Sequence, residues 1–116
     1  MRHNVHGRKF SRTSNQRRAL LKGLLNSLLE HDKIKTTEAK AKTLRPLVER
    51  MITLARTDTM ANRRLAFSRL GQKKTVKRLF ETVAPRYAER KGGYSRIVRI
   101  GVRTGDAAMI AQIELI

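Results

Sequence analysis

VRIGVRTGDAAMIAQIEL (residues 98–115) is where the period of the chain changes. Val98, Ile100 and Val102 alternate along one run, and Met109, Ala111, Ile113 and Leu115 along a second. A period of two places successive side chains on opposite faces of an extended strand. RTGDA lies between the runs and supplies turn residues, so the pair reads as an antiparallel hairpin.

Upstream, the dominant period is helical. Leu20, Leu21, Leu24, Leu25, Leu28 and Leu29 recur at helix spacing, with Thr13 or Ser14 placed to cap the start and the end near His31-Asp32. KIKTT (33–37) is short and β-branched and reads as a brief strand. A second helix starts at Thr37 and aligns Leu44, Val48, Met51, Ile52 and Ala55; Pro46, which lacks an N–H, is expected to kink or divide it. A third helix is capped by Asp58 or Thr59 and stopped by Gly71. A fourth carries Val76, Leu79, Phe80 and Val83 on one side, is broken by Pro85, and gives way to a loose turn through Tyr87. The order helix, strand, three helices, hairpin predicts an α+β, two-layer domain with helices on one face of a small sheet.

The bulk composition sets the limits of this domain. A chain of 116 residues suits one compact unit, and 40% hydrophobic content with 4% aromatics implies a small aliphatic core. Absence of cysteine excludes disulfides and thiolate chemistry. No apolar run approaches the roughly 20 residues of a membrane span, and no signal peptide is visible, so a cytoplasmic protein is expected.

Charge is the dominant signal. Lys and Arg number 27 against 9 acids, for a net charge of +18. That excess repels itself in the compact state and calls for a polyanionic partner. From Thr59 to Phe80 stand Arg63, Arg64, Arg69, Lys73, Lys74, Lys77 and Arg78 with no acid among them. A second cluster, Arg86, Arg90, Lys91, Arg96 and Arg99, surrounds Gly92-Gly93. The acids Glu30, Glu38, Glu49, Glu81 and Glu89 are spread through the helices, where bases three or four residues away can pair with them.

Residues 1–12 form a third basic cluster, an N-terminal arm ahead of a single domain over 13–116. Arg2, His3, His6, Arg8, Lys9 and Arg12 dominate it, with no acid and few large apolar side chains. Such a segment cannot offset its ordering entropy alone, but it can fold against a polyanion. Arg17 and Arg18 then fall in the first turns of the first helix, where the macrodipole disfavours cations and favours an anion. Phosphates seated at that helix start account for them.

The candidate RNA-binding residues are therefore the arm set, Arg17, Arg18, Lys35, Arg63, Arg64, Lys73, Lys74, Arg90, Lys91, Gly92, Gly93, Tyr94 and Arg96. Gly92-Gly93 permits close backbone approach to phosphate, or is simply the loop entering the hairpin. Tyr94 has two readings of equal standing: stacking on an unpaired base, or the first packed residue of the strand. His3 and His6 lack the additional ligands that a metal site needs, and Glu30 with Asp32 is too sparse for a two-metal nuclease. No catalytic residue, metal site or cofactor is expected, nor a membrane or small-molecule partner.

Four blocks together resemble a known family: MRH…GRKFSRTSNQRRALLKGL, IKTTEAKAKTLRPLVERMITLA, NRRLAFSRL and GGYSRIVRIGVRTGDAAMIAQIEL. They are similar, in order and over nearly the whole chain, to the bacterial ribosomal protein numbered seventeen of the large subunit. One departure is Asn4-Val5, where the family often has Arg-Lys. The resemblance implies a small mixed three-stranded sheet, with the strand near Ile34 joining the hairpin. It also implies a non-catalytic architectural protein that binds large-subunit ribosomal RNA near the peptide exit tunnel, a monomer among neighbouring ribosomal proteins. The rival reading is a free-standing DNA-binding or nucleoid protein. The spread of bases over arm, helices and loop favours folded RNA, and no helix-turn-helix pair stands out.

Overall fold

The structure, a computed structural model, describes residues 13–116. The arm candidates Arg2, His3, His6, Arg8, Lys9 and Arg12 lie outside the described residues.

Helix α1 (Ser14–His31) begins at Thr13, which forms a capping box with Gln16: the Thr13 hydroxyl accepts from the Gln16 amide and the Gln16 side chain accepts from the Thr13 amide. It ends at Asp32, whose φ of 67° is left-handed and whose N–H reaches the Leu28 carbonyl. Strand β1 (Lys33–Thr37) follows at once. Thr37 closes that strand and also caps helix α2 (Glu38–Ala55). Contrary to the sequence expectation, Pro46 does not divide α2: the helix runs unbroken over 18 residues. Proline removes one hydrogen bond, but packing of Leu44, Val48, Met51 and Ile52, all buried, outweighs that loss.

Helix α3 (Met60–Leu70) is capped by Thr59, not Asp58, and terminated by Gly71 at φ 73°. Helix α4 (Lys73–Arg78) passes without a break into a π-helical turn (Leu79–Val83) and a 3₁₀ turn (Ala84–Tyr87). Pro85 thus sits at the start of the 3₁₀ turn, a position that needs no N–H donor. Val76, Leu79, Phe80 and Val83 are buried as their spacing requires. Tyr87, expected in a loose turn, is also buried: its hydroxyl donates to the Ile116 carbonyl at 2.7 Å and its ring lies 5.1 Å from that of Tyr94.

Strands β2 (Ser95–Val102) and β3 (Met109–Leu115) form the hairpin, and β1 adds to the far side of β3, giving the order β1-β3-β2. Both pairings are antiparallel, so the sheet is not mixed. β1 and β2 run in the same direction but are separated by β3, so no parallel ladder forms. Ile34, Ile113 and Ile97 lie in register across the sheet and face the helices. The alternating set of β2 is the outward one: Val98, Ile100 and Val102 are 42–62% exposed. Val98 opposes Gln112, and a bulge between Arg99 and Gly101 leaves Ile100 unpaired. Helices therefore cover one face of the sheet, and the core is the aliphatic seam between Leu25, Leu28 and Leu29 of α1, the α2 stripe, Leu79, Val83, Ala111 and Ile113. Among the described residues, no helix is long and apolar enough to cross a membrane.

Candidate nucleic-acid interface

Which bases can meet an external anion depends on which are already held by acids of the chain. Among the described residues, every carboxylate except those of Glu81 and Glu89 is in an ion pair. Local pairing explains only some. Glu38–Lys42 and Glu49–Arg45 are one helical turn apart, at 2.7 and 3.7 Å. Glu30 instead reaches Lys74 on α4 at 2.6 Å, and Glu38 also reaches Arg99 on β2 at 2.9 Å. These partners hold the carboxyls of Glu30 and Glu38 below the ordinary value, chiefly through the hydrogen bonds from Lys74 and Lys42.

Several arginines are structural. Arg78 donates to the Leu29 carbonyl at 2.7 Å and to Asp32 at 3.1 Å, and Arg86 grips the same carboxylate. Burial pushes the Asp32 carboxyl up, but the hydrogen bonds and charge of Arg86 and Arg78 outweigh it and hold the group below its usual value. Arg56 donates to the Tyr94 hydroxyl at 3.3 Å and to the Ala88 carbonyl at 2.8 Å. Arg103 holds Asp106 in the hairpin turn, and that bond lowers the Asp106 carboxyl to about 2.

The candidate residues separate along the same line. On α3, Arg63 forms a two-point bond to Asp58, at 2.6 and 2.8 Å, and lies 5.1 Å over the Phe80 ring. Its neighbour Arg64 is exposed and touches only the Met60 sulfur, at 3.4 Å. Lys73 and Lys77 on α4 are exposed with no carboxylate partner, whereas Lys74 pairs with Glu30 yet keeps a side chain 79% exposed. Arg63, Arg64, Lys73 and Lys77 border one groove of about 440 Å³ between α3 and α4, with Met60 and Phe67 exposed beside them. Arg17 is half-buried in the first turn of α1 and Arg18 is exposed there. Lys35 points outward from β1 opposite Gln112, and Arg96 is outward on β2, where its Nε donates to Glu114 at 2.7 Å.

The glycine loop resolves the two readings of its residues. Gly92 and Gly93 have φ of 141° and 63°, and nothing lies within 4 Å of where a Cβ would stand. Their requirement is conformational, while the space beside them is open. Arg90 and Lys91 are exposed on the same loop. Tyr94 is 1% exposed, and its hydroxyl bonds Thr53, Arg56 and the Arg90 carbonyl. Its ring is core, so it offers no face to a base, which corrects the stacking alternative.

Sequence reasoning did not single out Lys22 or Arg50, which carry no carboxylate partner and stand beside Arg18 and Arg69 around a cleft between α1, α2 and α3. The Arg18–Lys22 spacing was a usable signal, since residues four apart share a helix face. Arg50 is adjacent to Glu49 but faces another side of α2, and Glu49 pairs with Arg45 one turn away.

The fold and its surface define a small basic α+β domain in which most acids are spent on internal pairs and many cations are left facing outward. Residues 20–116 match the family model for ribosomal protein L17, and the chain belongs to that family. It is thus a ribosomal protein of the large subunit, an RNA-binding component of a cytoplasmic ribonucleoprotein that works in translation.

Proposed function

We propose that this chain binds large-subunit ribosomal RNA mainly through phosphate contacts, as an architectural and assembly component without a reaction of its own. The observation that carries this reading is the partition of charge: all acids but Glu81 and Glu89 are paired internally, while Arg17, Arg18, Lys35, Arg64, Lys73, Lys77, Arg90 and Lys91 have no carboxylate partner. Each cation that neutralises a phosphate releases counterions, so many scattered contacts give strong, salt-sensitive binding. Those cations lie on α1, β1, α3, α4 and the glycine loop, a distribution suited to irregular folded RNA. The basic segment 1–12, with Arg2, Arg8, Lys9 and Arg12 and no acid, offers further cations for phosphate contacts. Resemblance to the family supports a seat near the peptide exit region, beside other large-subunit proteins.

The test is co-sedimentation in a cell lysate followed by a salt titration on a large-subunit ribosomal RNA fragment. The chain is expected to travel with large subunits, and its affinity for the fragment to fall steeply as salt rises. Sedimentation with DNA, or an affinity independent of salt, would overturn the reading.

A further inference from the structure

α1, α2 and α3 enclose a cleft of about 520 Å³, and of the candidate contacts above only Arg18 lines it. Its floor is apolar: Leu25 and Met51 are buried, and Leu21 and Leu47 are half-buried beside them. Its mouth carries Arg18 and Lys22 from α1, Arg50 from α2 and Arg69 from α3. No acid lines it, and none of these four cations is in an ion pair.

The walls are fixed. Asn26, 6% exposed, donates its side-chain amide to the Lys22 carbonyl and to the Leu70 carbonyl, both at 3.0 Å, which ties α1 to the end of α3. Gly71 ends α3 in a left-handed turn, and a Cβ there would stand 2.9 Å from the Lys22 ammonium. The missing side chain lets that ammonium lie against the helix end.

Four like charges around an apolar floor are unfavourable in the free chain, and no carboxylate among the described residues pairs with them. The basic segment 1–12 has the wrong sign to fill the cleft, as does a second copy of a chain with net charge +18. An occupant must therefore be anionic at its edge and flat and apolar at its centre. The volume falls within the range of about 300–1,000 Å³ typical of pockets for small molecules, too small for a docked helix. We propose that this cleft receives a single unpaired nucleotide of RNA, its base against the half-buried Leu21 and Leu47, above the buried Leu25 and Met51, and its flanking phosphates on Arg18, Lys22, Arg50 and Arg69. The inference rests on the reading that the chain binds ribosomal RNA, and supplies a place among the described residues where a base rather than a phosphate is held.

The test follows the ¹³C methyl signals of Met51 and Met60 in the full chain, with adenosine 5′-monophosphate, inorganic phosphate and a poly-glutamate peptide as probes. Met60, exposed beside the α3–α4 groove, serves as the internal control. The expected result is a ring-current shift of Met51 alone, produced by the nucleotide and not by phosphate. Arg50→Ala with Arg69→Ala should weaken that binding at least tenfold with an unchanged melting temperature. With a ribosomal RNA fragment, the same double variant should lose the Met51 shift, whereas Arg64→Ala should lower affinity and keep it. A fragment that binds tightly without moving Met51 overturns the cleft assignment and leaves RNA binding intact. A peptide that moves Met51 when the nucleotide does not overturns it in favour of an acidic protein segment. Failure of the fragment to bind at all removes the premise and the proposal with it.

Discussion

Arg78 and Asp32 are joined at 3.1 Å across 46 residues of sequence, and Arg78 simultaneously donates to the Leu29 carbonyl at 2.7 Å. α4 thereby closes the C-terminal end of α1, whose last carbonyls have no intrahelical donor. The Asp32 carbonyl also accepts from the Leu115 amide at 2.8 Å, so one left-handed residue ties helix, helix and sheet together.

Asp32→Asn keeps the left-handed conformation accessible and removes only the charge. Asp32 and Arg86 are 37% exposed and Arg78 30%, so screening limits the expected loss to about 1 kcal/mol. The folded-state carboxyl lies below its ordinary value, so its contribution is complete at neutral pH and is lost as pH falls through that lowered value. Melts at neutral pH should separate variant from parent, and the gap should close below about pH 4. A gap that widens in acid would show that the ion pairs are not its origin.

Pro46 is exposed on a continuous helix and denies the Lys42 carbonyl its intrahelical donor. Pro46→Ala is expected to stabilise the chain by about 1–3 kcal/mol, the helix-interior preference less the gain in unfolded-chain freedom. A thermal melt checks it; a lower melting temperature would mean that the proline ring holds packing that the helix needs.

Adjacent arginines on α3 should behave differently. Arg63→Ala breaks the two-point bond to Asp58 and the contact with Phe80, and should lower the melting temperature. Arg64→Ala should change stability by less than about 0.5 kcal/mol. In RNA titrations Arg64→Ala should reduce the salt slope by about 1. Equal melting temperatures for the two variants would contradict the partition of charge described above.

Tyr94→Ala should cost about 3–5 kcal/mol by opening a cavity beneath the glycine loop. Tyr94→Phe keeps the ring, loses the hydroxyl's bonds to Thr53, Arg56 and the Arg90 carbonyl, and should cost about 1 kcal/mol. Affinity of Tyr94→Phe for a ribosomal RNA fragment should match the parent. A weakened complex at unchanged fold would show the phenol reaching the RNA.

Local rules determined much of this protein from the sequence alone. The stop at Gly71, the strand at KIKTT and the hairpin turn at RTGDA each depend on a few neighbouring residues, so each was legible; the caps were narrowed to Thr13 or Ser14 and to Asp58 or Thr59, and the structure uses Thr13 and Thr59. The charge excess and the family resemblance were legible for the same reason: both need only the order of residues. Tertiary structure alone decided where partners separated by tens of residues would meet. Alternation in β2 identified a strand but not its inward face, because pairing with β3 sets that face, and it buries Ile97 rather than Val98. Pro46 was tolerated because α2 is held by packing on both sides of it, an energy that no local propensity contains. Arg63, Arg78 and Arg96 could be told from Arg64, Lys73 and Lys77 only once the acids had chosen among them, since a carboxylate pairs with whichever cation the fold brings within about 4 Å. The cleft at Arg18, Lys22, Arg50 and Arg69 exists in no single stretch of chain; three helices must pack before four dispersed cations surround one apolar floor.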